Sequence, residues 1–298
     1  MKEQYWSKVL LFGEYSMIFD STALVIPLKR YSAVWSDLPD EMRSYSIREL
    51  FRFCDYLQSE ADLAEVIDTD AMKEDLNKGW HLFSDIPLGY GLGSSGAVTA
   101  AVYDRYGKTK IQDMMRLKQL FSRMESYFHG SSSGIDPLQC FLGEPFRISA
   151  EGVEVLSDDF LFQGIEIFLI DTKQHSDTKP LVEYFKLQRE NESYRTGFEK
   201  EYLPLVSGCM NALMDAEKEA FFPMLNRLSA MQMKYLRPMI PDSTADLFQC
   251  SCDFHFGVKI LGAGGGGCML GFTDDRKKTA SFLKERSVLW LNDPVAED

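Results

Sequence analysis

Length, composition and charge narrow the class of this protein. The chain has 298 residues, 45% apolar and 13% aromatic, which is enough to build the core of one large or two medium domains. Its formal net charge is −13 and no cluster of Lys and Arg stands out, which argues against nucleic acid as a partner. No apolar stretch approaches the ~20 residues that span a bilayer, and the N-terminus lacks the apolar core of a signal peptide. We therefore expect a cytoplasmic protein that does not enter a membrane.

The six cysteines do not form a metal-binding pattern. Only Cys250 and Cys252 lie close together, and no second pair matches them. This spacing argues against a zinc knuckle and favours reduced thiols in the interior.

Short strands and helices alternate through the first half of the chain. Apolar runs predict strands at 8–12, 23–28, 31–35 and 80–84, the second and third on either side of a basic turn. Helical spacing predicts helices at 47–58, 95–105, 111–128 and 134–142.

The pattern changes in the second half. Strands are predicted at 146–149, 153–156, 165–171, 257–261 and 268–272, and long helices at 180–189, 194–215, 217–234 and 243–252. The change near residue 179 predicts a domain boundary there, with domains at 1–179 and 180–298.

The segment Pro87–Gly96 carries the clearest functional signal. Glycines at 89, 91, 93 and 96 and two serines lead into a good helix former. Unpaired N–H groups and the helix dipole make such a helix start an anion site. Glycine- and serine-rich segments are also common linkers, so the loop alone leaves both interpretations open.

Two polar stretches add candidate catalytic groups. Lys8 opens a buried strand that ends at Gly13-Glu14, although a lysine there often only reaches to the surface. Glu125 near one helix end and Asp136 at the start of the next would form an acidic corner for Mg²⁺ and a substrate hydroxyl. The alternative is an ordinary helix–turn–helix with Ser132 or Ser133 as the N-cap.

A second glycine-rich segment occupies 262–267, between two apolar strands. Four consecutive glycines are costly to order. A close approach of the backbone to a ligand or to another loop explains them better than a linker does.

These stretches together resemble the motifs of the GHMP kinase superfamily, and most closely those of its mevalonate kinases. The first motif is Lys8–Glu14, the second Pro87–Gly96 and the third Gly262–Gly267, with His129-Gly130 and Ser133–Asp136 similar to the catalytic region. Residues 171–179 resemble the strand and turn before the family's second domain. The order of the motifs makes the resemblance specific.

The resemblance implies ATP and Mg²⁺ as cofactors and assigns roles to residues. Asp136 would orient or deprotonate the acceptor hydroxyl, and Lys8 would pair with it. Ser95 and Glu125 would be the metal ligands. The acceptor, mevalonate or a related alcohol, would lie near Glu14, Tyr15 and Thr178. The nucleotide-binding residues implied are Gly91, Leu92, Gly93, Ser94, Ser95, Gly96, Gly264 and Gly265.

The implied fold is α+β in two domains: an N-terminal domain like ribosomal protein S5 domain 2 and a ferredoxin-like C-terminal domain. The implied function is that of an ATP-dependent small-molecule kinase, with a possible homodimer. Alternatives are a phosphomevalonate or sugar kinase, an ATP-dependent decarboxylase of the same fold, or a non-catalytic binding protein. A Rossmann protein would need its glycine motif after the first strand, and a P-loop would need Gly-Lys-Ser/Thr.

The chain departs from the usual motifs at three positions. Mevalonate kinases usually have histidine where this chain has Tyr15, and often alanine or another small residue where it has Gly96. They have proline where it has Ser132. Because Tyr15 lies where the acceptor would be read, this departure bears on substrate identity more than on phosphoryl transfer.

Overall fold

A computed structural model describes residues 2–19, 21–37, 46–157, 163–250 and 252–293. The strands are β1 (Tyr5–Phe12), β2 (Ala23–Ser36), β3 (His81–Ser84), β4 (Phe146–Ser149), β5 (Gly152–Val155), β6 (Glu166–Asp171), β7 (Phe256–Ile260), β8 (Cys268–Thr273) and β9 (Val288–Trp290). The helices are α1 (Ile47–Ser59), α2 (Ala61–Val66), α3 (Thr69–Asn77), α4 (Ser94–Tyr106), α5 (Met114–His129), α6 (Ile135–Leu142), α7 (Thr178–Glu190), α8 (Glu192–Gly197), α9 (Leu203–Met214), α10 (Lys218–Tyr235) and α11 (Arg276–Phe282).

The chain forms two compact units that exchange segments. Unit 1 contains residues 1–9, 26–88 and 92–144, and unit 2 contains residues 10–25, 89–91 and 145–298. Residues 89–91 of the first glycine-rich loop therefore belong to unit 2, and the rest of the loop belongs to unit 1. The predicted domain boundary near residue 179 stays a prediction.

Unit 1 is built around α4. This helix packs on α5 and α6, and nearly all of its residues are buried. The end of β2 pairs antiparallel with β3 from Ala33 opposite Ser84 to Ser36 opposite His81. Helical spacing predicts a buried stripe of Leu50, Phe51, Cys54 and Leu57 on α1; Leu50, Cys54 and Leu57 are buried, Phe51 is half-buried, and Phe53 is buried as well.

Unit 2 contains a four-stranded antiparallel sheet in the order β7-β8-β6-β9. Strand β6 pairs with β8 from Glu166 opposite Thr273 to Asp171 opposite Cys268. The ring of Phe168 lies over Gly271, where a Cβ would stand 2.2 Å from it. The start of β2 pairs with β4, which pairs with β5. Helices α9 and α10 pack on each other, and α10 packs on β7.

The predicted pair of strands around a basic turn is wrong. Residues 23–36 form the single strand β2, in which Lys29 is exposed and Leu28 is buried. Because β4 pairs with one end of this strand and β3 with the other, the backbone stays extended through Lys29 and Arg30.

Three predicted helices also differ from the structure. Helix α5 begins at Met114, because the side chain of Asp113 accepts from the amides of Met115 and Arg116 as an N-cap. The predicted helix 194–215 is divided by a π-helical turn at Phe198–Tyr202. Pro204 follows this turn and has no amide for a regular helical bond.

The predicted helix 243–252 is a 3₁₀ helix, Asp242–Gln249, and Ser251 lies outside the described residues. The amide and hydroxyl of Thr244 both donate to the Pro241 carbonyl, which tightens the first turn. Sequence patterning missed the short elements α2, α3, α11 and β9. None of the described helices is long and apolar enough to cross a membrane.

Candidate active site

A buried lysine and a carboxylate form the centre of the candidate site in unit 1. Lys8 Nζ lies 2.9 Å from Asp136 Oδ2, although the residues are far apart in sequence. The lysine side chain is 2% exposed and the aspartate side chain 31% exposed. The ammonium group is thus enclosed, while part of the carboxylate still faces solvent. A molecule that enters from solvent can reach the carboxylate.

The glycine loop leads into the N-terminus of α4 beside this pair. Gly93 is the N-cap with a left-handed backbone at φ 83°, and Ser94 is the first helical residue. The first amides of a helix have no acceptor within it and carry partial positive charge. Ser94 is half-buried and Ser95 buried at this helix start. The sequence-predicted anion site is therefore a real helix N-terminus.

Two glycines of this loop allow the close packing. A Cβ at Gly93 would stand 2.7 Å from Lys8 Cγ, and a Cβ at Gly96 would stand 2.8 Å from the Asp136 carbonyl carbon. The Lys8 amide also donates to the Leu92 carbonyl at 3.0 Å. These contacts bring the loop against both charged residues, so any larger side chain at 93 or 96 would push them apart.

The acidic corner predicted from sequence is a hydrogen-bonded cluster. Ser95 Oγ donates to Glu125 Oε1 at 2.8 Å, and Ser132 Oγ donates to Glu125 Oε2. Glu125 is 4% exposed. Burial, followed by the nearby charge of Asp136, raises the pKa of Glu125 to about 7.

His129 belongs to this cluster and was not singled out as a site residue from sequence. Its Nε2 lies 3.0 Å from Ser95 Oγ. Burial lowers the pKa of His129, and the charge of Asp136 opposes that shift. The signal that could have found it is its position at the end of α5, one helical turn after Glu125.

The side-chain oxygens of Ser95 and Glu125 are ligands of the kind that Mg²⁺ prefers. Ser95 and Glu125 supply a hydroxyl and a carboxylate oxygen within hydrogen-bond distance of each other. Among the described residues, no three His, Cys, Asp or Glu side chains converge as a metal site. Two protein oxygens fit a magnesium ion that keeps water and substrate phosphate as its other ligands.

The second glycine-rich segment lies in unit 2, and side chains bind its carbonyl groups. Tyr15 Oη donates to the Ala263 carbonyl at 2.8 Å, and Ser176 Oγ donates to the Gly264 carbonyl at 2.5 Å. Thr172 donates to the Gly267 carbonyl through its hydroxyl at 2.7 Å and through its amide at 2.9 Å. Two parts of unit 2, the segment after β1 and the connection between β6 and α7, therefore hold the run.

Amides of the same segment are also used within the protein. Gly264 donates to the Leu261 carbonyl at 3.2 Å, and Gly265 donates to the Met239 carbonyl at 2.6 Å. A Cβ at Gly267 would stand 2.6 Å from the Tyr90 Cα. The segment thus approaches the first part of the glycine loop, as four consecutive glycines suggested.

The arrangement in unit 1 can be compared with known proteins. The family model of the GHMP kinase N-terminal domain matches residues 53–144. The mevalonate kinase of Thermococcus gammatolerans is 26% identical over 302 residues, covering 91% of this chain and 88% of the relative. Eight curated relatives match, and all carry the name mevalonate kinase.

The chain resembles the mevalonate kinases of the GHMP kinase superfamily.

Solved structures show the same fold. L. major mevalonate kinase in complex with R-mevalonate has a TM-score of 0.66 at 16% identity, covering 95% of this chain and 90% of that one. Streptococcus pneumoniae phosphomevalonate kinase, in complex with phosphomevalonate and AMPPNP, has a TM-score of 0.65 at 15% identity, covering 93% of each. Lactococcus lactis galactokinase complexed with galactose reaches 0.68 at 13% identity, covering 96% of this chain and 92% of that one. The expected two-domain GHMP kinase fold is consistent with these likenesses.

The residues predicted to read the acceptor lie in unit 2. Glu14 and Lys259 form an ion pair at 2.5 Å, with both side chains 1% exposed. Tyr15 has a left-handed backbone at φ 60°, and its ring packs against Phe185 with centroids 4.6 Å apart. Thr178 is half-buried at the first position of α7. The buried environment of Glu14 and the hydrogen bond of Tyr15 favour a role in shaping the site over direct contact with the acceptor.

Proposed function

We propose that this protein is an ATP-dependent kinase that phosphorylates a hydroxyl of mevalonate, giving 5-phosphomevalonate and ADP. The observation that carries the proposal is the enclosed Lys8 ammonium 2.9 Å from the partly exposed Asp136 carboxylate. This pair lies against the N-terminus of a helix. A cation, a carboxylate and an anion-binding helix start are what phosphoryl transfer to an alcohol requires.

The nucleotide is bound by the loop at Gly91–Gly96. Its phosphates meet the amides at the start of α4 and the hydroxyl of Ser94, while Leu92 and Gly93 supply the turn. Gly264 and Gly265 contribute through the shape of the second glycine-rich segment, since their own amides donate to the Leu261 and Met239 carbonyls.

Ser95 and Glu125 would hold Mg²⁺ together with the phosphates of the nucleotide. When bound, the ion neutralises charge on the transferring phosphoryl group. The hydrogen bonds of Ser95 to Glu125 and His129 fix the direction of the serine hydroxyl before the nucleotide arrives.

Asp136 accepts the acceptor hydroxyl's proton or orients it, and Lys8 stabilises the negative charge that develops on that oxygen. A hydroxyl has a pKa far above 7, so late proton transfer to a positioned carboxylate is effective. Lys8 is already in place, so its charge needs no rearrangement as the reaction proceeds. Asp136 lies in the first turn of α6, which fixes the position of its carboxylate beside Lys8.

Mevalonate is the acceptor that the names of the relatives support, and Glu14, Tyr15 and Thr178 shape its site. A cytoplasmic location and a homodimer remain predictions, and size-exclusion chromatography with light scattering tests the second.

The deciding experiment measures ADP release with Mg-ATP and a panel of mevalonate, phosphomevalonate, galactose and homoserine. We expect turnover with mevalonate and little with the others. Turnover with phosphomevalonate or galactose alone would show that this compound, and not mevalonate, is the acceptor. Release of carbon dioxide would indicate the decarboxylase instead. ATP binding without turnover on any acceptor would favour a non-catalytic binding protein.

A further inference from the structure

Ser132 lies in the turn between α5 and α6, and its side chain contacts the site. Ser132 Oγ donates to Glu125 Oε2 and accepts from the Gly134 amide at 2.9 Å. Its carbonyl accepts from Ser122 Oγ at 2.6 Å. The serine is therefore fixed through both its backbone and its hydroxyl.

The two oxygens of Glu125 have different partners. Oε2 accepts from Ser132, whereas Oε1 accepts from Ser95 at 2.8 Å. A carboxylate oxygen has two lone pairs, so Oε1 can keep one for a metal while Ser95 uses the other. The terminal torsion of a glutamate has no sharp rotamer preference. A second donor, on Oε2, therefore fixes the orientation of the carboxylate plane relative to Ser95.

We infer that Ser132 is a positioning residue that holds the Glu125 carboxylate so that Oε1 and Ser95 Oγ together face Mg²⁺. The inference rests on the proposed function, because Ser95 and Glu125 are the metal ligands there. Ser132 itself touches neither the metal nor the acceptor. It acts through Glu125, as hydrogen-bond partners of metal ligands generally do.

Loss of the Ser132 hydroxyl has two consequences. Glu125 Oε2 loses a donor in a buried place, and the carboxylate gains freedom to turn. Partners that orient a ligand change metal affinity by about 10- to 100-fold when they are removed. Because most ligands of the ion are phosphate oxygens and water, we expect the lower end, a loss of about tenfold.

The test measures binding of Mn²⁺ by electron paramagnetic resonance, in the presence of a non-hydrolysable ATP analogue. Mn²⁺ prefers the same oxygen ligands as Mg²⁺. The variants are Ser132→Ala, which removes the hydroxyl, and Ser132→Thr, which keeps it. Ser131→Ala is the matched control, since Ser131 is the neighbouring serine and is exposed. Thermal unfolding without metal checks that each variant folds.

We expect Ser132→Ala to bind Mn²⁺ about tenfold more weakly, and Ser132→Thr and Ser131→Ala to bind like the parent protein. Equal affinity of Ser132→Ala and the parent protein would overturn the inference, as would a failure of Ser132→Thr to restore binding. If Ser132→Ala does not fold, Ser132→Cys replaces it, because a thiol is only a weak donor. A parent protein that binds no Mn²⁺ with the analogue contradicts the proposed function itself, a result distinct from equal binding by both proteins.

Discussion

The two glycine-rich segments of this protein look alike in sequence and differ in what their polar groups do. At Gly91–Gly96 the chain enters α4, whose first amides have no acceptor within the helix. At 262–267, the carbonyls of Ala263, Gly264 and Gly267 and the amides of Gly264 and Gly265 are engaged by the protein. In both segments the glycines allow the backbone to lie close to neighbouring groups. The hydrogen bonds of each segment show whether its polar groups are free for a ligand or already bound within the protein.

Their surroundings differ in the same way. Beside the first segment, Lys8, Asp136, Glu125 and His129 form a cluster of ionisable groups. Beside the second, hydroxyl groups of Tyr15, Ser176 and Thr172 each bind one carbonyl. Unit 2 also holds an ion pair, Glu14–Lys259, but both of its side chains are enclosed, whereas Asp136 is partly open to solvent. Ionisable groups that a ligand can reach favour chemistry at the first segment, and satisfied carbonyls favour a supporting role for the second.

The largest expected effect tests the first region. Asp136→Asn keeps the shape of the side chain and an oxygen that can accept from Lys8, but it removes the proton acceptor. We expect turnover to fall by about 10²- to 10⁴-fold, while ATP binding is retained. Steady-state kinetics and calorimetric ATP binding are the measurements. Asp70→Asn, at an exposed position of α3, is the control. Near-normal turnover of Asp136→Asn would remove Asp136 from the mechanism.

A smaller effect concerns the pH dependence of stability at the same corner. Glu125 has a pKa of about 7 in the folded protein against 4.5 in the unfolded chain, so the folded state binds the proton more tightly. The resulting stabilisation is complete below the unfolded pKa and is lost as pH rises through 7. Glutamine cannot ionise, so the stability of Glu125→Gln should not follow pH in this way. Compared with that of the parent protein, its free energy of unfolding should rise by up to about 3 kcal/mol from pH 5 to pH 8.

Urea unfolding at both pH values, without divalent metal, measures this difference. Glu65→Gln, at an exposed position of α2, is the matched control and should leave the pH dependence unchanged. A constant difference between Glu125→Gln and the parent protein would mean that Glu125 is ionised throughout this range.

The smallest expected effect tests the second glycine-rich segment, through its hydrogen bond with Tyr15. Tyr15→Phe removes one hydrogen bond, to the Ala263 carbonyl, and leaves the ring against Phe185. We expect a loss of about 1 kcal/mol in the free energy of unfolding, at every pH tested. ATP affinity should not change, because the segment supports the loop without binding phosphate. Tyr184→Phe, a half-buried tyrosine on α7, is the control. A large loss of ATP affinity would show that the two segments do not differ as described.

Several helices and strands that carry the candidate site could be predicted from sequence, because they depend on local patterns. The glycines before a good helix former predict the N-terminus of α4, and the apolar segment that begins at Gly134 predicts α6. Strand β6 follows from its apolar run. The basic pair Lys29-Arg30 misled the prediction of β2, because strand pairing at both ends overrides a local preference.

The sequence by itself determined the kind of chemistry, through the residue types at Lys8, Ser95, Glu125 and Asp136 and their order along the chain. Only the tertiary structure decided which of them meet, because these contacts join residues far apart in sequence. It also decided that Ser132 binds Glu125 and that Tyr15 binds Ala263. A hydroxyl can donate to any oxygen within reach, so its residue type does not name its partner. The fold supplies the partner by fixing distances that no sequence spacing encodes.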